Sequence, residues 1–469
     1  MSLRAIGILC AALISTTVLP GYSLTAQRSA GAESAEPVEL LKQYIRVDTT
    51  NPPGNEKAGA EFLASILRKN GLEATIYDTS GDNRACVYSR LKGNGKKRAI
   101  VLLNHIDVVP AQASDWKHPP FAGEVHDGEI WGRGAIDMKG MAIAQLEAML
   151  RLKRSGNVLD RDIIFLATPD EEVGGRYGAQ WFAQNHPELV KDAEFLFNEG
   201  FFIEADELGK TRYWGIDISE KSVLWLKLTA RGLAGHGSMP MPDSSTNRLV
   251  KAVNRIVNAP PAPQVLPAVR EYFHSISKRE QSNLKNLYEH IDESVANPES
   301  YKLLLDDKLK SSMLRNTVSL TVLKAGYKTN VIPAEAVAEI DCRLLPNEKP
   351  ETFIAEIKKK LDDPSIEVSI LDWVHADASP YNTEAYEAIK RVAAKDEPGV
   401  PVVPVVVPWF TDSHWFRELG ITSYGFVPFK IDLAHLATMH GKDERLPVAS
   451  FLKGTDLMYD ILAELAVGK

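Results

Sequence analysis

The alternation of helix and strand patterns predicts an α/β protein whose larger domain is interrupted by a smaller α+β domain. Residues 37–218 alternate amphipathic helices with apolar strands, which is typical of a layered domain with a largely parallel sheet. Residues 219–376 follow the order β-α-β-β-α-β of a ferredoxin-like sandwich. The first pattern resumes over 377–469, so the two outer segments are expected to fold together. A chain of 469 residues is also too long for a single core.

The first outer segment combines strongly apolar strands with amphipathic helices. Helices are expected around 38–45, 56–69, 138–152 and 177–185, and strands at 72–78, 84–91, 98–104, 162–168 and 194–198. The uninterrupted apolar runs at 99–103 and 163–167 indicate strands that are buried on both faces.

The inserted segment begins with a strand at 222–230, which places Leu224, Leu226 and Leu228 on one face over a core. Its further elements are a helix at 247–257, strands at 317–324 and 334–344, a helix at 351–361 and a strand at 366–372. A polar stretch over 260–315 is expected to form a helical excursion on the surface. The last outer segment contains predicted helices at 383–394 and 449–465 and strands at 402–407 and 422–427.

The N-terminal residues have the pattern of a secretory signal peptide. Arg4 precedes a mostly apolar run at 5–19, and small residues that suit cleavage end at Ala26. We therefore expect residues 1–26 to direct export, to the periplasm or the medium, with an uncleaved anchor as the alternative. Residues 27–36 are expected to be a flexible lead-in.

The overall composition limits the kinds of molecule that the protein is expected to bind. The chain has 62 acidic and 54 basic residues, a net charge of −8, and no basic stretch of five or more. This balance argues against nucleic acid and, once the signal is removed, against a membrane as partners. Cys86 and Cys342 lack neighbouring cysteines and are expected to be buried thiols, so candidate metal ligands are nitrogen and oxygen atoms.

Acids and histidines follow the apolar runs at widely spaced points along the chain. They occur in the segments 104–107, 132–140, 169–172, 198–200 and 439–441. Ligands in open α/β sheets collect at the carboxyl ends of the strands. Histidine nitrogen and carboxylate oxygen are the donors of catalytic zinc. Together these segments predict a metal site.

Each candidate residue has a chemical rationale. His105 and Asp107 face the same side of an extended segment, so Asp107 is expected to accept the second ring N–H of His105. Asp137, in a glycine-rich turn, is expected to bridge two ions. Glu171 and Glu172 diverge at a strand end, so one can bind metal while the other accepts a proton from water. Taken singly, such residues are explained by loop hydrogen bonds, helix-start acids or capping.

The strings at 104–110, 127–140 and 440–445 resemble the M20 metallopeptidases, and within them the carboxypeptidase S and N-acyl-amino-acid hydrolase branch. The resemblance implies a zinc-peptidase-like layered catalytic domain, formed by 37–218 and 377–469, with an inserted lid and dimerisation domain. It also implies two Zn²⁺ ions per subunit, with Co²⁺ and Mn²⁺ as alternatives. The implied roles are a bridging Asp137, one ion on His105 and Glu199, the other on Glu172 and His440, Glu171 as general base, and Asp107 as support of His105. A cis peptide after Asp137 is implied as well.

The resemblance assigns further residues to the substrate. His236 would stabilise the oxyanion, in dimeric relatives across the subunit interface, so a homodimer through the inserted domain is implied. Asn330 and Arg343 would contact the substrate carbonyl and carboxylate, with a turn residue and an ion pair as alternatives. Ser413 lies in a substrate-side segment, 410–414, where Phe410 and His414 replace the Gly and Arg frequent in relatives.

These observations predict an exported zinc hydrolase that cleaves the amide bond of small peptides or N-acyl amino acids bearing a free carboxylate. The alternatives are a non-catalytic, metal-retaining peptide-binding protein, and an esterase or carbamoyl-amide hydrolase that uses the same site.

Overall fold

The computed structural model describes residues 30–468, apart from 282 and 347 and the side chains of 30–35. The predicted signal peptide at 1–26 lies outside the described residues. The helices of the described part are α1 (Ala30–Ile45), α2 (Lys57–Lys69), α3 (Lys139–Ser155), α4 (Ala179–Asn185), α5 (Ser245–Val257), α6 (Pro267–Ser277), α7 (Leu284–Glu289), α8 (Ile291–Ala296), α9 (Pro298–Leu304), α10 (Lys308–Ser312), α11 (Pro350–Leu361), α12 (Glu384–Asp396), α13 (Ser413–Arg417), α14 (Leu433–Leu436) and α15 (Val448–Ala466).

The strands form one large sheet and three smaller ones. They are β1 (Ala74–Asp78), β2 (Ala85–Leu91), β3 (Ala99–His105), β4 (Glu124–His126), β5 (Glu129–Trp131), β6 (Ile163–Thr168), β7 (Ala193–Ala205), β8 (Thr211–Glu220), β9 (Ser222–Arg231), β10 (Gly235–His236), β11 (Thr317–Ala325), β12 (Val331–Ile332), β13 (Glu335–Leu344), β14 (Glu367–Val374), β15 (Val402–Val407), β16 (Thr422–Ile431) and β17 (Arg445–Pro447). Helices and strands alternate in the outer segments, as the sequence predicts.

The large sheet has the order β1-β2-β6-β3-β7-β16-β8-β15 and joins both outer segments of the chain. The central strands β6, β3, β7 and β16 pair in parallel. Antiparallel pairs join β1 to β2, β2 to β6 and β8 to β16. The sheet is therefore mixed rather than largely parallel. Ile100 and Leu102 enter the core on one face, and Val101 and Leu103 the core on the other. This burial on both faces explains the uninterrupted apolar run of β3.

The inserted segment forms a second, antiparallel sheet with the order β11-β13-β9-β14. Leu224, Leu226 and Leu228 pack with residues of α5 and α11 in a core of its own, as their alternation predicts. The β9-α5-β11-β13-α11-β14 order gives the ferredoxin-like sandwich. The α/β fold class with an inserted α+β unit is therefore confirmed.

Three expectations about local structure need correction. Helix α1 begins at Ala30 and contains Pro37, so the segment expected to be a flexible lead-in is helical from residue 30. The 260–315 stretch is not merely a surface excursion, because α6 buries Tyr272 and Phe273 in the core of the large domain. Strand β8 has no counterpart in the prediction.

Of the helices in the described residues, none is both long and apolar enough to cross a membrane.

Candidate metal centre

Four segments deliver four of the five predicted ligands to one edge of the large sheet, and the fifth, His440, comes from the segment after α14. His105 is the last residue of β3, and Glu172 lies in the short 3-10 turn that follows the adjacent parallel strand β6. Asp137 lies two residues before Lys139, the first residue of α3. Glu199 lies at a register shift, where β7 and β16 pair through Asn198 and then Phe201. A bulge of this kind redirects a side chain that regular pairing would place elsewhere.

The side chains form two triads that share Asp137. His105 Nε2 lies 2.9 Å from Asp137 Oδ1 and 3.8 Å from Glu199 Oε1. His440 Nε2 lies 2.9 Å from Asp137 Oδ2 and 3.1 Å from Glu172 Oε2. Within each triad the potential ligand atoms lie within 4.8 Å of one another. Each oxygen of Asp137 thus faces one triad, which is the arrangement expected of a carboxylate that bridges two ions.

The contacts of Asp107 differ from the expectation. The second ring nitrogen of His105, Nδ1, lies 2.9 Å from the backbone carbonyl oxygen of Asp107, while the nearer carboxylate oxygen is 3.7 Å away. The carboxylate instead accepts the backbone N–H groups of Glu171 and Glu172, each at 3.1 Å, and the Asn51 amide at 3.0 Å. Asp107 therefore orients the His105 ring through its main chain and the two glutamates through its side chain.

We expect the Asp107→Asn variant to lose activity by about 10- to 100-fold, because its amide offers a donor where the buried N–H groups need an acceptor. The free energy of unfolding is expected to fall by about 1.5–3 kcal/mol. Turnover, zinc content and thermal unfolding measure these effects. Asp115→Asn, at an exposed aspartate, serves as the control. Wild-type turnover in Asp107→Asn would contradict this positioning role.

Glu444 is a buried residue of the centre to which the sequence reasoning gave no role. Its carboxylate accepts the backbone N–H groups of Gly134, Ile136 and Asp137 at 2.8–3.1 Å, and Arg133 Nη1 at 2.7 Å. It therefore holds the loop that presents Asp137. The peptide bond between Asp137 and Met138 is cis, as the resemblance implies.

The electrostatics of the centre suit cations. Burial, together with the nearby Glu199 carboxylate, raises the pKa of Glu171 well above its ordinary value. Burial and the Asp137 carboxylate raise the pKa of Glu172 to about 7. Oxygen Oε1 of Glu172 is buried without a hydrogen-bond partner. Crowded, buried carboxylates are costly unless positive charge compensates them. With imidazole and carboxylate as the only donors, this cluster fits two divalent cations of the zinc, cobalt or manganese type.

Glu171 lies beside the two triads that share Asp137 and belongs to neither of them. It lines an inner pocket of about 290 Å³ and also an outer cleft of about 1040 Å³. Glu172, His440, Trp409 and Phe410 line both cavities as well. The cavities therefore meet at the metal centre, beside a carboxylate that lies outside the two triads.

The structure brings one of the predicted substrate residues into the cleft. Arg343 lines it, and its guanidinium pairs with Asp341 at 2.8 Å, which is the ion pair that the sequence offered as the alternative. His236 is exposed on β10 and bonds Ser238 Oγ at 2.7 Å, and Asn330 lies beside it, accepting the Gly237 N–H at 2.8 Å. Neither lines the two cavities of this chain. Ser413 is fully buried, behind the cleft wall.

The replaced positions form an aromatic cluster of tilted rings at the same wall. His414 is buried between Phe410, at 4.3 Å between ring centroids, and Trp415, at 3.9 Å. Its Nδ1 lies 2.8 Å from the Thr411 carbonyl oxygen, and burial lowers the pKa of the imidazole to about 3. His414 is therefore neutral and supplies no positive charge to the substrate.

A layered α/β domain with a paired His–carboxylate centre and an adjacent free glutamate defines a metal-dependent hydrolase. Residues 101–464 match the model of peptidase family M20/M25/M40, and the chain belongs to this family. Human aminoacylase-1 is 30% identical over 445 residues, covering 93% of this chain and 97% of its own. A probable carboxypeptidase S-like 2 from Dictyostelium discoideum is 29% identical over 81% of this chain and 74% of its own.

The fold has solved counterparts. The M20 family metallo-carboxypeptidase Sso-CP2 from Sulfolobus solfataricus superposes with a TM-score of 0.72 at 20% sequence identity. The superposition covers 92% of this chain and 99% of the other. At this identity the likeness shows the fold alone.

Proposed function

We propose that this protein is a di-zinc hydrolase that cleaves the amide bond of small peptides or N-acyl amino acids with a free carboxylate. The observation that carries the proposal is the pair of triads sharing Asp137, with Glu171 beside them and a cavity on either side. The names of the relatives, aminoacylase-1 and carboxypeptidase S-like, support the same substrate classes.

His105, Asp137 and Glu199 would hold one zinc ion, and Asp137, Glu172 and His440 the other. When bound, the two cations would polarise the scissile carbonyl and lower the pKa of water at the centre. Asp107 and Glu444 keep the ligand-bearing loops in place through the backbone hydrogen bonds described above.

Glu171 is the proposed proton carrier. Its carboxylate takes a proton from the attacking water, whose oxygen bonds to the carbonyl carbon of the substrate. The same proton then passes to the amide nitrogen, the C–N bond breaks, and a carboxylic acid and an amine leave. A raised pKa suits this role, because the group must both accept and release a proton near neutral pH.

Arg343 would bind the free carboxylate of the substrate. The guanidinium has five N–H donors, so it can engage a substrate carboxylate while keeping contact with Asp341. Its place in the outer cleft, next to the residues of the metal centre, supports this role. Asn330 and Ser413, which lie outside the two cavities, stay as predictions from the family resemblance.

We further propose that His236 acts on the oxyanion of a neighbouring subunit, in a homodimer formed through the inserted domain. The exposure of His236, away from the metal centre of its own chain, supports a role in another copy. We expect His236→Ala to lose at least 100-fold in turnover while retaining its metal, since removing an oxyanion donor has effects of about this size.

Subunit mixing tests this arrangement. Inactive His236→Ala and Glu171→Gln chains, dissociated and reassembled together, are expected to recover about a quarter of wild-type activity. Half of the dimers are then mixed, and one of their two sites has both residues intact. No recovery from verified mixed dimers would exclude action across the interface.

A substrate panel tests the proposed function as a whole. Dipeptides, N-acyl amino acids, esters and carbamoyl amino acids are offered to the protein loaded with Zn²⁺, Co²⁺ or Mn²⁺. We expect amide hydrolysis that disappears on chelation and returns on adding metal. Metal binding without turnover of any substrate would favour the peptide-binding alternative, and faster ester or carbamoyl cleavage would favour the other hydrolase classes.

A further inference from the structure

A further group of metal-ligating side chains lies on and beside the hairpin formed by β4 and β5. Glu124 and His126 occupy alternate positions of β4, so their side chains share one face of the strand, and His118 comes from the segment before it. One potential ligand atom of each residue lies within 4.8 Å of those of the other two, as in each triad of the metal centre. These three residues, the hairpin triad, line neither the inner pocket nor the outer cleft.

Trp131 supports the hairpin triad from β5. It pairs with Glu124 in the β4-β5 register, and its indole N–H donates to the His126 carbonyl oxygen at 3.3 Å. Its ring is nearly perpendicular to that of His118, with centroids 4.7 Å apart, and the His118 and His126 rings lie parallel at 3.6 Å. Trp131 is 5% exposed, whereas 34% of the His126 side chain and 50% of the Glu124 side chain are exposed. The triad therefore rests on a fixed residue and is open to ions from solvent.

An ion pair between Glu124 and His126 accounts for only part of this arrangement. His126 Nε2 lies 2.9 Å from Glu124 Oε2. That pair needs no third residue, yet a ring nitrogen of His118 lies within 4.8 Å of the ligand atoms of both. Two imidazole nitrogens and one carboxylate oxygen are a ligand set of zinc that leaves a fourth position to water. The parallel rings would each tilt to direct a nitrogen at one ion, as partly exposed side chains can do rapidly.

Two basic side chains near the hairpin triad do not prevent cation binding. The guanidinium of Arg445 lies over the Trp131 ring at 5.0 Å, but it pairs with Glu129 at 3.0 Å. Lys117 Nζ lies over the same ring at 5.5 Å, and this lysine is exposed. Water and salt screen the charge of an exposed side chain. The carboxylate of Glu124 is thus available to compensate a bound cation.

We propose that His118, Glu124 and His126 form a third metal site, which binds Zn²⁺ in preference to Mg²⁺ or Ca²⁺. Imidazole suits zinc, whereas the other two cations favour carboxylate, carbonyl and water ligands. Because the site is exposed and has a single carboxylate, it is expected to bind zinc more weakly than the buried centre does. It fills only when zinc exceeds the amount that saturates the centre, and it empties on gel filtration in metal-free buffer.

A cation at this site would join two segments that flank the loop bearing Asp137. The segment of His118 contacts this loop through the Pro120 carbonyl oxygen, which accepts the Arg133 N–H at 2.9 Å. Strand β5, the partner of β4, leads into the same loop at Gly132. The third ion would therefore fasten the entry to the loop without contacting a ligand of the metal centre.

Calorimetry with Zn²⁺ alone tests the site on protein that already holds its two central ions. We expect one additional ion per subunit in the wild type. The His118→Gln/His126→Gln variant is expected to bind it at least about tenfold more weakly, since even the residues that support metal ligands contribute 10- to 100-fold to affinity. His290→Gln, at an exposed histidine outside the triad, is the matched control. No additional ion in the wild type, or unchanged binding in the double variant, would overturn the proposal.

The fold and the central ions of the double variant are checked separately. It is expected to retain two firmly bound ions after gel filtration, and the Tm of the wild type when no free zinc is present. Loss of the additional ion alone then identifies the hairpin triad as its site. This outcome does not depend on turnover, so a failure of the hydrolase proposal would leave it intact.

Chemical modification locates the ion without any substitution. Diethyl pyrocarbonate acylates accessible imidazole nitrogens, and mass spectrometry of peptides identifies each modified histidine. Zinc at ten times the dissociation constant leaves about a tenth of the sites free, so modification of His118 and His126 should slow about tenfold. The rate at His290 should not change. Equal rates with and without zinc would contradict the site, and equal protection by Ca²⁺ or Mg²⁺ would contradict its preference for zinc.

Amide hydrogen exchange tests the fastening of the two segments. Peptides that cover residues 116–131 are expected to exchange more slowly when excess zinc is added to the wild type. The His118→Gln/His126→Gln variant should show no such change. Exchange that is unaffected by zinc in the wild type would refute the fastening role of the third ion.

Discussion

The Glu171→Gln variant is expected to lose between about a hundredfold and ten-thousandfold in kcat, the usual range for a general base. Glutamine matches glutamate in shape but does not accept a proton, so substrate and metal would bind while the proton transfer fails. Steady-state kinetics on the best substrate of the panel measures the loss. The comparison with KM separates a chemical defect from a binding defect, since KM is expected to change little.

Two controls accompany Glu171→Gln: the zinc content of the variant and a matched substitution at an exposed glutamate. Zinc content is expected to remain at two per subunit, because Glu171 belongs to neither of the two triads that share Asp137. Glu207→Gln, at an exposed glutamate in the turn after β7, is expected to behave as wild type. More than about a tenth of wild-type turnover in Glu171→Gln would exclude the base role.

The Asp137→Asn variant is expected to lose metal from both triads, because one side chain faces both histidines. An amide has no negative charge and only one oxygen, so it cannot bridge two cations as a carboxylate does. We expect zinc content to fall from two ions to well below one per subunit, whereas His440→Ala should retain about one. Elemental analysis after gel filtration gives both numbers.

Thermal unfolding gives an independent measure of metal loss in Asp137→Asn. Bound zinc is expected to stabilise the wild-type protein by mass action, by about 4 kcal/mol at a concentration one thousand times the dissociation constant. Asp137→Asn is expected to lose this zinc-dependent increase in Tm, and His440→Ala to retain part of it. Two firmly bound ions in Asp137→Asn would refute the bridging role.

Local pattern was enough to predict the elements that build the metal edge. The apolar runs of β3 and β6 predicted buried strands; β3 ends at His105, and Glu172 lies in the turn that follows β6. Strand β8 escaped prediction because Gly215, Asp217 and Glu220 interrupt its apolar character. Glu220 is buried with a partner from another part of the chain, the guanidinium of Arg417.

The role of Asp107 illustrates the limit of spacing arguments. Residues that are two positions apart on an extended chain lie on the same face. This spacing predicted a contact between the Asp107 carboxylate and the His105 imidazole. The chain leaves β3 at His105, however, and the turn after β6 brings the N–H groups of Glu171 and Glu172 against the carboxylate. Glu444 likewise has no local signature, because its partners lie about 310 residues earlier in the chain.

The sequence by itself determined the donor chemistry, since the types of side chain that bind metal or carry protons can be identified before they are placed. It also determined the two-part architecture, because hydrophobic periodicity is a local property. Only the tertiary structure decided that Asp137 lies 2.9 Å from both His105 and His440, and that Trp409 and Phe410 line both cavities beside the metal centre. Such distances depend on how remote elements pack, and packing is a property of the whole chain.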